Sequence, residues 1–267
     1  MRKRWVTGTI LIISLLTTFL LLVGFIQGTR AVINPKEINQ YETVKEKEPL
    51  TKKDTKKLSI VALGDSLTRG VGDDSGDGYV KRLSARLTED YNQKISLSNL
   101  SISGAKTTDL LTLLDTTGTK HTLKNADLIV MTIGGNDLFP GVETLTTNLA
   151  EYTPDTNTFV NNSKKIIEII RSNNADAPIY WISLYNPFEE FKELGDTSKF
   201  VIDWNHQQQT LATQYPELHI IPVFDLFQGQ GKNFLYTDHF HPNKKGYEAI
   251  SERLIQSIAS QQQLGGD

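Results

Sequence analysis

The 267 residues contain no cysteine, which excludes a disulfide framework, a thiolate metal site and a cysteine nucleophile. Histidine is scarce, with five copies to supply all the imidazole available for acid–base work. Charge of either sign is missing from Trp5 to Ile26. An uncharged, mostly apolar run of about 20 residues is long enough to span a bilayer as a helix. The basic cluster Met1-Arg2-Lys3-Arg4 in front of it would stay in the cytoplasm and place the rest of the chain outside. A cleaved signal peptide is the competing reading, giving a secreted protein. Its apolar region is usually shorter and ends in a small-x-small site, for which Gly24-Phe25-Ile26-Gln27-Gly28 is a poor match. Residues 1–29 are therefore read as a basic end and an uncleaved membrane anchor.

Basic charge is in short supply beyond that end. Residues 1–57 hold 11 Lys and Arg against 5 Asp and Glu, whereas residues 58–267 hold 17 against 26. An acidic globular part lacks the basic face that phosphate binding requires, so nucleic acid is not the expected partner. Residues 30–57 are poor in large apolar side chains and dense in Lys, Glu and Thr. Such a composition cannot bury enough surface to order itself and reads as a charged, disordered linker. The Gln261-Gln262-Gln263 and Gly265-Gly266 end reads as a tail, 261–267.

Residues 58–260 carry the one sizeable core. Apolar runs at Ser59–Leu63, Ile95–Leu100, Leu128–Ile133, Ile179–Leu184 and His219–Val223 alternate with helix-length amphipathic segments. Those segments lie near Val80–Asp90, Thr107–Leu114, Thr158–Asn173, Phe200–Gln214 and Lys244–Ser260. Regular alternation of this kind predicts an α/β fold, a parallel sheet covered by helices on both faces.

Polar clusters follow the predicted strands. The first, Gly64-Asp65-Ser66-Leu67-Thr68, falls where a strand's carboxyl end turns into a helix, the place where open α/β sheets bind ligands. Taken alone, Ser66 is either a nucleophile or, with Asp65, a helix cap. Ser101-Ile102-Ser103-Gly104-Ala105 follows the second strand and Gly134-Gly135-Asn136-Asp137 the third, while Thr237-Asp238-His239-Phe240-His241-Pro242 precedes the last helix. A serine nucleophile needs a histidine to take its proton and a carboxylate to orient that histidine. Asp238 and His241, three apart, can supply both. It also needs donors aimed at the oxygen that becomes negative, which the Ser66 and Gly104 N–H groups and the Asn136 amide can offer.

Together these four blocks, in this order, resemble the SGNH (GDSL-type) esterase and lipase superfamily over about residues 58–260, and the bacterial lysophospholipase-like branch with an N-terminal membrane segment in particular. The resemblance implies a flavodoxin-like, three-layer α/β/α sandwich with a parallel sheet of about five strands. It implies Ser66 as nucleophile, His241 as general base and Asp238 as its orienting acid. It assigns the oxyanion hole to Ser66, Gly104 and Asn136, with no cofactor and no metal. The expected substrate is a small-molecule, lipid or polysaccharide ester. Removal of acetyl groups from wall polysaccharide is the alternative, and polysaccharide binding without turnover a third reading. Oligomeric state is left open.

Other residues are set aside. Asp73-x-Ser75-x-Asp77-Gly78 starts like a calcium loop, but Ser84 stands where a bidentate Glu is required, so it reads as a polar loop. His239 is out of register with the Asp-x-x-His spacing, and His121, His206 and His219 lie away from the strand ends. Trp181 and Tyr185 belong to a strand and its exit. Tyr185-Asn186-Pro187-Phe188 and Phe139-Pro140 could line an acyl pocket, although strand-end aromatics usually pack in the core.

Overall fold

The computed structural model describes residues 17, 18, 21–23, 57–139 and 152–262. The chain divides into two units, Met1–Lys52 and Lys53–Asp267. In the first, residues 17, 18 and 21–23 are helical. No helix among the described residues is long and apolar enough to cross a membrane. Most of the uncharged run, nearly all of the linker and most of the tail lie outside the described residues.

In the second unit, β1 (Leu58–Gly64), β2 (Ile95–Asn99), β3 (Leu128–Thr132), β4 (Ile179–Ile182) and β5 (Leu218–Ile221) form one parallel sheet in the order β2-β1-β3-β4-β5. The helices are α1 (Ser66–Arg69), α2 (Gly78–Tyr91), α3 (Thr107–Leu114), α4 (Thr117–Lys124), α5 (Gly135–Leu138), α6 (Thr156–Asn173), α7 (Ser198–Ala212), α8 (Phe224–Phe227), α9 (Gly231–Phe234) and α10 (Lys244–Gln262).

Alternation along each strand splits the core into two layers. Ile60, Ala62, Val130 and Ile182 pack with Tyr79, Leu83 and Leu87 of α2 and Tyr247, Ile250 and Leu254 of α10. Val61, Leu63, Ile129, Met131 and Trp181 pack with Leu110 and Leu114 of α3, Leu123 of α4, Phe159, Ile166 and Ile170 of α6, and Val201 and Trp204 of α7. Successive strand residues point to opposite faces, and both faces are covered over the inner strands, so Ile60 to Leu63 of β1, Leu128 to Met131 of β3 and all of β4 read as unbroken apolar runs, whereas edge strand β2 alternates with serine. This is the predicted α/β/α sandwich with five parallel strands.

The four later strands stop short of the expected ends, β2 and β3 by one residue and β4 and β5 by two, the last two for identifiable reasons. The fourth was expected to reach Leu184, but the Asn205 side chain of α7 takes both the Leu184 N–H (2.8 Å) and its carbonyl (2.8 Å). The fifth was expected to reach Val223, but Pro222 has no N–H to continue the ladder. Helix α4 was not expected, since Thr-Gly-Thr is a poor helix former. It exists because the Thr116 hydroxyl caps the Thr119 N–H and Leu123 is buried against the core.

Candidate active site

The switch point of the strand order lies between β1 and β3, where the connections leave in opposite directions and a crevice opens at the carboxyl ends. Gly64 ends β1 at φ +123°, paired with Thr132 of β3. Asp65 then caps α1, its Oδ1 accepting from the Leu67 N–H at 3.0 Å. The two readings of the Gly-Asp-Ser turn therefore fall on different residues and do not exclude each other. Asp65 is the cap, and the Ser66 hydroxyl is free to face the crevice.

Ser66 Oγ lies 2.8 Å from His241 Nε2, and His241 Nδ1 lies 2.7 Å from Asp238 Oδ2. The loop before α10 is built to hold this pair. Asp238 Oδ1 accepts the N–H groups of Phe240 and His241, both at 3.0 Å. The Tyr236 N–H donates to the His241 carbonyl at 2.7 Å, and the Tyr185 hydroxyl donates to the Phe240 carbonyl at 2.6 Å. Partial burial alone would raise the Asp238 pKa. The hydrogen bonds from the His241 ring and the two N–H groups outweigh it and hold the carboxyl below its usual range, ionised at neutral pH. An ionised Asp238 fixes the proton on Nδ1 and leaves Nε2 to accept from the serine.

Of the predicted donors, Ser66 and Asn136 line the same cleft. The Ser66 N–H is the first of α1 and has no partner within the helix by position. Gly104 holds the left-handed φ of +78° in the loop after β2, with nothing within 4 Å of where a Cβ would stand. Asn136, on α5, donates one amide N–H to the Ala105 carbonyl at 3.0 Å, which leaves the other for a ligand.

Beside Ser66 lies a cleft of about 470 Å³, counting its open mouth. Leu67, Phe139, Ile182, Leu184, Tyr185, Pro187 and Phe240 line it. Phe188 stands behind this wall, edge-on to Phe139 at 5.1 Å. Trp181 instead packs against Phe159 in the core, and Asn186 is spent on Thr197 and Ser198. Pro140 lies outside the described residues.

The remaining candidates sit elsewhere. His239 is exposed and edge-on to Phe191, His121 and His206 are exposed, and His219 stacks on Tyr180 beside Glu217. In the polar loop, Arg82 occupies the place of a cation, its Nη1 2.5 Å from Asp73 Oδ2, while Ser75 and the Gly78 N–H take the rest of the carboxylate. Among the described residues no group of three or more His, Asp or Glu is placed to hold a metal.

The sequence reading missed a buried relay beneath the serine. Tyr79 and Thr68 hydroxyls lie 2.7 Å apart, Thr68 and Thr132 hydroxyls also 2.7 Å, and Thr132 donates to Asp65 Oδ1 at 2.7 Å. Each hydroxyl has one proton, so with Thr132 donating to Asp65 the other two line up behind it, Tyr79 to Thr68 and Thr68 to Thr132. The Leu63 carbonyl, 2.9 Å from Thr68 Oγ1, is the alternative acceptor. No sequence signal marks Thr132 or Tyr79, because only the β1–β3 pairing brings them together.

Burial pushes the Asp65 pKa from 3.8 up to about 6, against the bonds from Thr132 and Leu67. Its neutral form thus favours folding below pH 3.8, and that advantage disappears as pH rises through 6. The shift corresponds to about 3 kcal/mol. In Asp65→Asn, the amide oxygen can accept the same two bonds without the charge. Urea unfolding is expected to show the variant gaining about 2 kcal/mol on the wild type between pH 4 and pH 7. A difference that does not change with pH would show that Asp65 ionisation is not coupled to folding.

Fold and site define a hydrolytic enzyme on a doubly wound α/β scaffold, with a serine, a histidine and a carboxylate chained by hydrogen bonds beside an apolar cleft. Comparison with known proteins gives the family. Residues 62–249 match the GDSL-like Lipase/Acylhydrolase family, and the chain belongs to it, which makes it a carboxylic ester hydrolase. It is 33% identical over 210 residues to the uncharacterized protein YpmR of Bacillus subtilis, covering 75% of this chain and 81% of that one. It is 33% identical over 209 residues to the spore germination lipase LipC of Bacillus licheniformis, covering 74% and 94%. Among solved structures, the lipase Lip_vut3 from a goat rumen metagenome superposes with a TM-score of 0.66 at 30% identity, covering 75% of this chain and 97% of that chain.

Proposed function

We propose that this enzyme hydrolyses esters of short to medium acyl chains through an acyl-enzyme on Ser66. Ser66 Oγ attacks the ester carbonyl carbon while His241 Nε2 takes its proton. The carbonyl oxygen becomes negative and is met by the Ser66 and Gly104 N–H groups and the Asn136 amide. The tetrahedral intermediate collapses, and the C–O bond to the alcohol breaks as His241 returns the proton to it. Water, deprotonated by His241, then attacks the acyl-enzyme and releases the acid and free Ser66. Asp238 stabilises the imidazolium in both halves. The observation that carries this reading is the unbroken chain Ser66–His241–Asp238, at 2.8 and 2.7 Å.

The apolar cleft beside Ser66 favours an alkyl acyl group over a sugar, whose hydroxyls would find few partners among Phe139, Pro187 and Phe240. Initial rates on p-nitrophenyl esters from C2 to C16 test it. Rates are expected to peak at short to medium chains, falling at C16 by about tenfold as methylenes outrun the cleft. A maximum at C16, together with hydrolysis of a lysophospholipid, would place the enzyme in the lysophospholipase-like branch instead. Activity on C2 alone, extended to acetylated wall polysaccharide, would make it a deacetylase. In the same reading the uncharged run from Trp5 to Ile26 anchors the chain, with the catalytic unit outside the cytoplasm. Recovery of the full-length protein in the soluble fraction, without detergent, would overturn that placement.

A further inference from the structure

Two of the three oxyanion donors sit on separate segments, Gly104 in the loop after β2 and Asn136 on α5 after β3, and the sheet reaches the Gly104 loop through a backbone bond, the Ile102 N–H donating to the Gly64 carbonyl at 2.8 Å. A donor is effective only if it is already in place when charge develops on the substrate oxygen. The two segments are joined directly to each other by side chains. Asn136 Nδ2 donates to the Ala105 carbonyl at 3.0 Å, which orients the amide plane. One residue on, both oxygens of Asp137 grip Thr107, accepting its N–H at 2.9 and 3.2 Å and its hydroxyl at 2.5 Å. Thr107 is the first residue of α3, so its N–H has no partner inside the helix. Its hydroxyl also accepts from Asn162 Nδ2 of α6 at 3.0 Å. Thr107 is fully buried and Asn162 nearly so. The Gly104 loop, the Asn136 turn and α6 therefore meet in one closed set of hydrogen bonds, just behind the site.

We propose that Asp137 is a positioning residue of the oxyanion hole, which through Thr107 locks the Gly104 loop to the Asn136 turn so that both donors converge on one point. The inference rests on the reading of Ser66 as nucleophile. Asp137 itself does not touch the substrate. Its carboxylate is tied to Thr107, and its effect reaches the reaction only through the spacing of Gly104 and Asn136.

A double-mutant cycle on a p-nitrophenyl butyrate assay separates this from a general structural role. Asn136→Ala removes a donor outright and is expected to lower kcat by about 100-fold. Asp137→Asn keeps one acceptor but loses the two-oxygen grip, and is expected to lower kcat about tenfold with KM changed by less than about twofold. The double variant is expected to fall clearly short of the product of the two effects, because the share of the Asp137 effect that runs through Asn136 cannot be lost twice. Thr107→Val, which removes the hydroxyl and keeps the N–H, gives a second, milder entry to the same cycle. Full multiplication of the two effects, about 1000-fold, would overturn the proposal. So would an Asp137→Asn variant that unfolds more readily while kcat per folded molecule is unchanged. Ser66→Ala is run alongside. If it retains hydrolysis the reading of the site fails, whereas if it is inactive and the cycle multiplies, only the role of Asp137 fails.

Discussion

Ser66→Ala is expected to lose hydrolysis of any ester the enzyme accepts, by about 10⁴-fold or more in kcat, with the fold intact. The size follows from the geometry. Ser66 Oγ is 2.8 Å from the imidazole that would activate it, and alanine removes the attacking atom while leaving the His241–Asp238 pair with no proton to take. Binding in the apolar cleft and the remaining donors would leave a small residual rate over water. The fold is expected to survive, because Asp65 rather than Ser66 caps α1, and only one hydroxyl is lost. His241→Ala is expected to be similarly inactive. A fluorophosphonate, which phosphonylates an activated serine, should label the wild type and neither variant. Labelling of Ser66→Ala at wild-type level, or activity within tenfold of wild type, would remove Ser66 from the reaction.

Much of this was readable from the chain because parallel α/β folds gather their chemistry at strand ends. Ile60 to Leu63, Leu128 to Met131 and Ile179 to Ile182 announce themselves as runs buried on both faces. The Asp238-x-x-His241 spacing is local, so the contact between those two side chains was legible too. What the sequence hid was non-local. Thr132 ends β3 as an ordinary β-branched residue, and its contact with Asp65 appears only once β1 and β3 pair. Thr107 reads as a helix start, yet the acid that satisfies it is 30 residues away on α5. Asn205 ends β4 from the far side of a helix, which no strand propensity anticipates. The cap reading of the Gly-Asp-Ser turn and the nucleophile reading looked like rivals because sequence shows neighbours and not directions. In the fold Asp65 turns inward and Ser66 outward.

Two glycines of the site give opposite expectations for the same substitution, and this contrast separates scaffold from chemistry. A Cβ on Gly64 would stand 1.8 Å from the Thr132 carbonyl oxygen and under 3 Å from its carbon and nitrogen. That neighbour is backbone in the central pair of the sheet, and it also receives the Asp65 N–H at 3.2 Å. No side chain can swing away to make room, so β1 and β3 must separate at the point that carries Ser66. Gly64→Ala is expected to destabilise the domain by more than about 4 kcal/mol or to prevent its folding. Soluble yield and the urea midpoint read this directly, and a variant within about 1 kcal/mol of wild type would contradict the close approach. Gly104 has an equally special φ but open space around it. Gly104→Ala is expected to bear only the backbone strain of a left-handed residue, about 1 kcal/mol, and to fold. Its deficit is expected in kcat, because the strained loop moves an N–H that has to meet the oxyanion. One glycine is required by the strand beside it, the other, in the proposed mechanism, by the substrate.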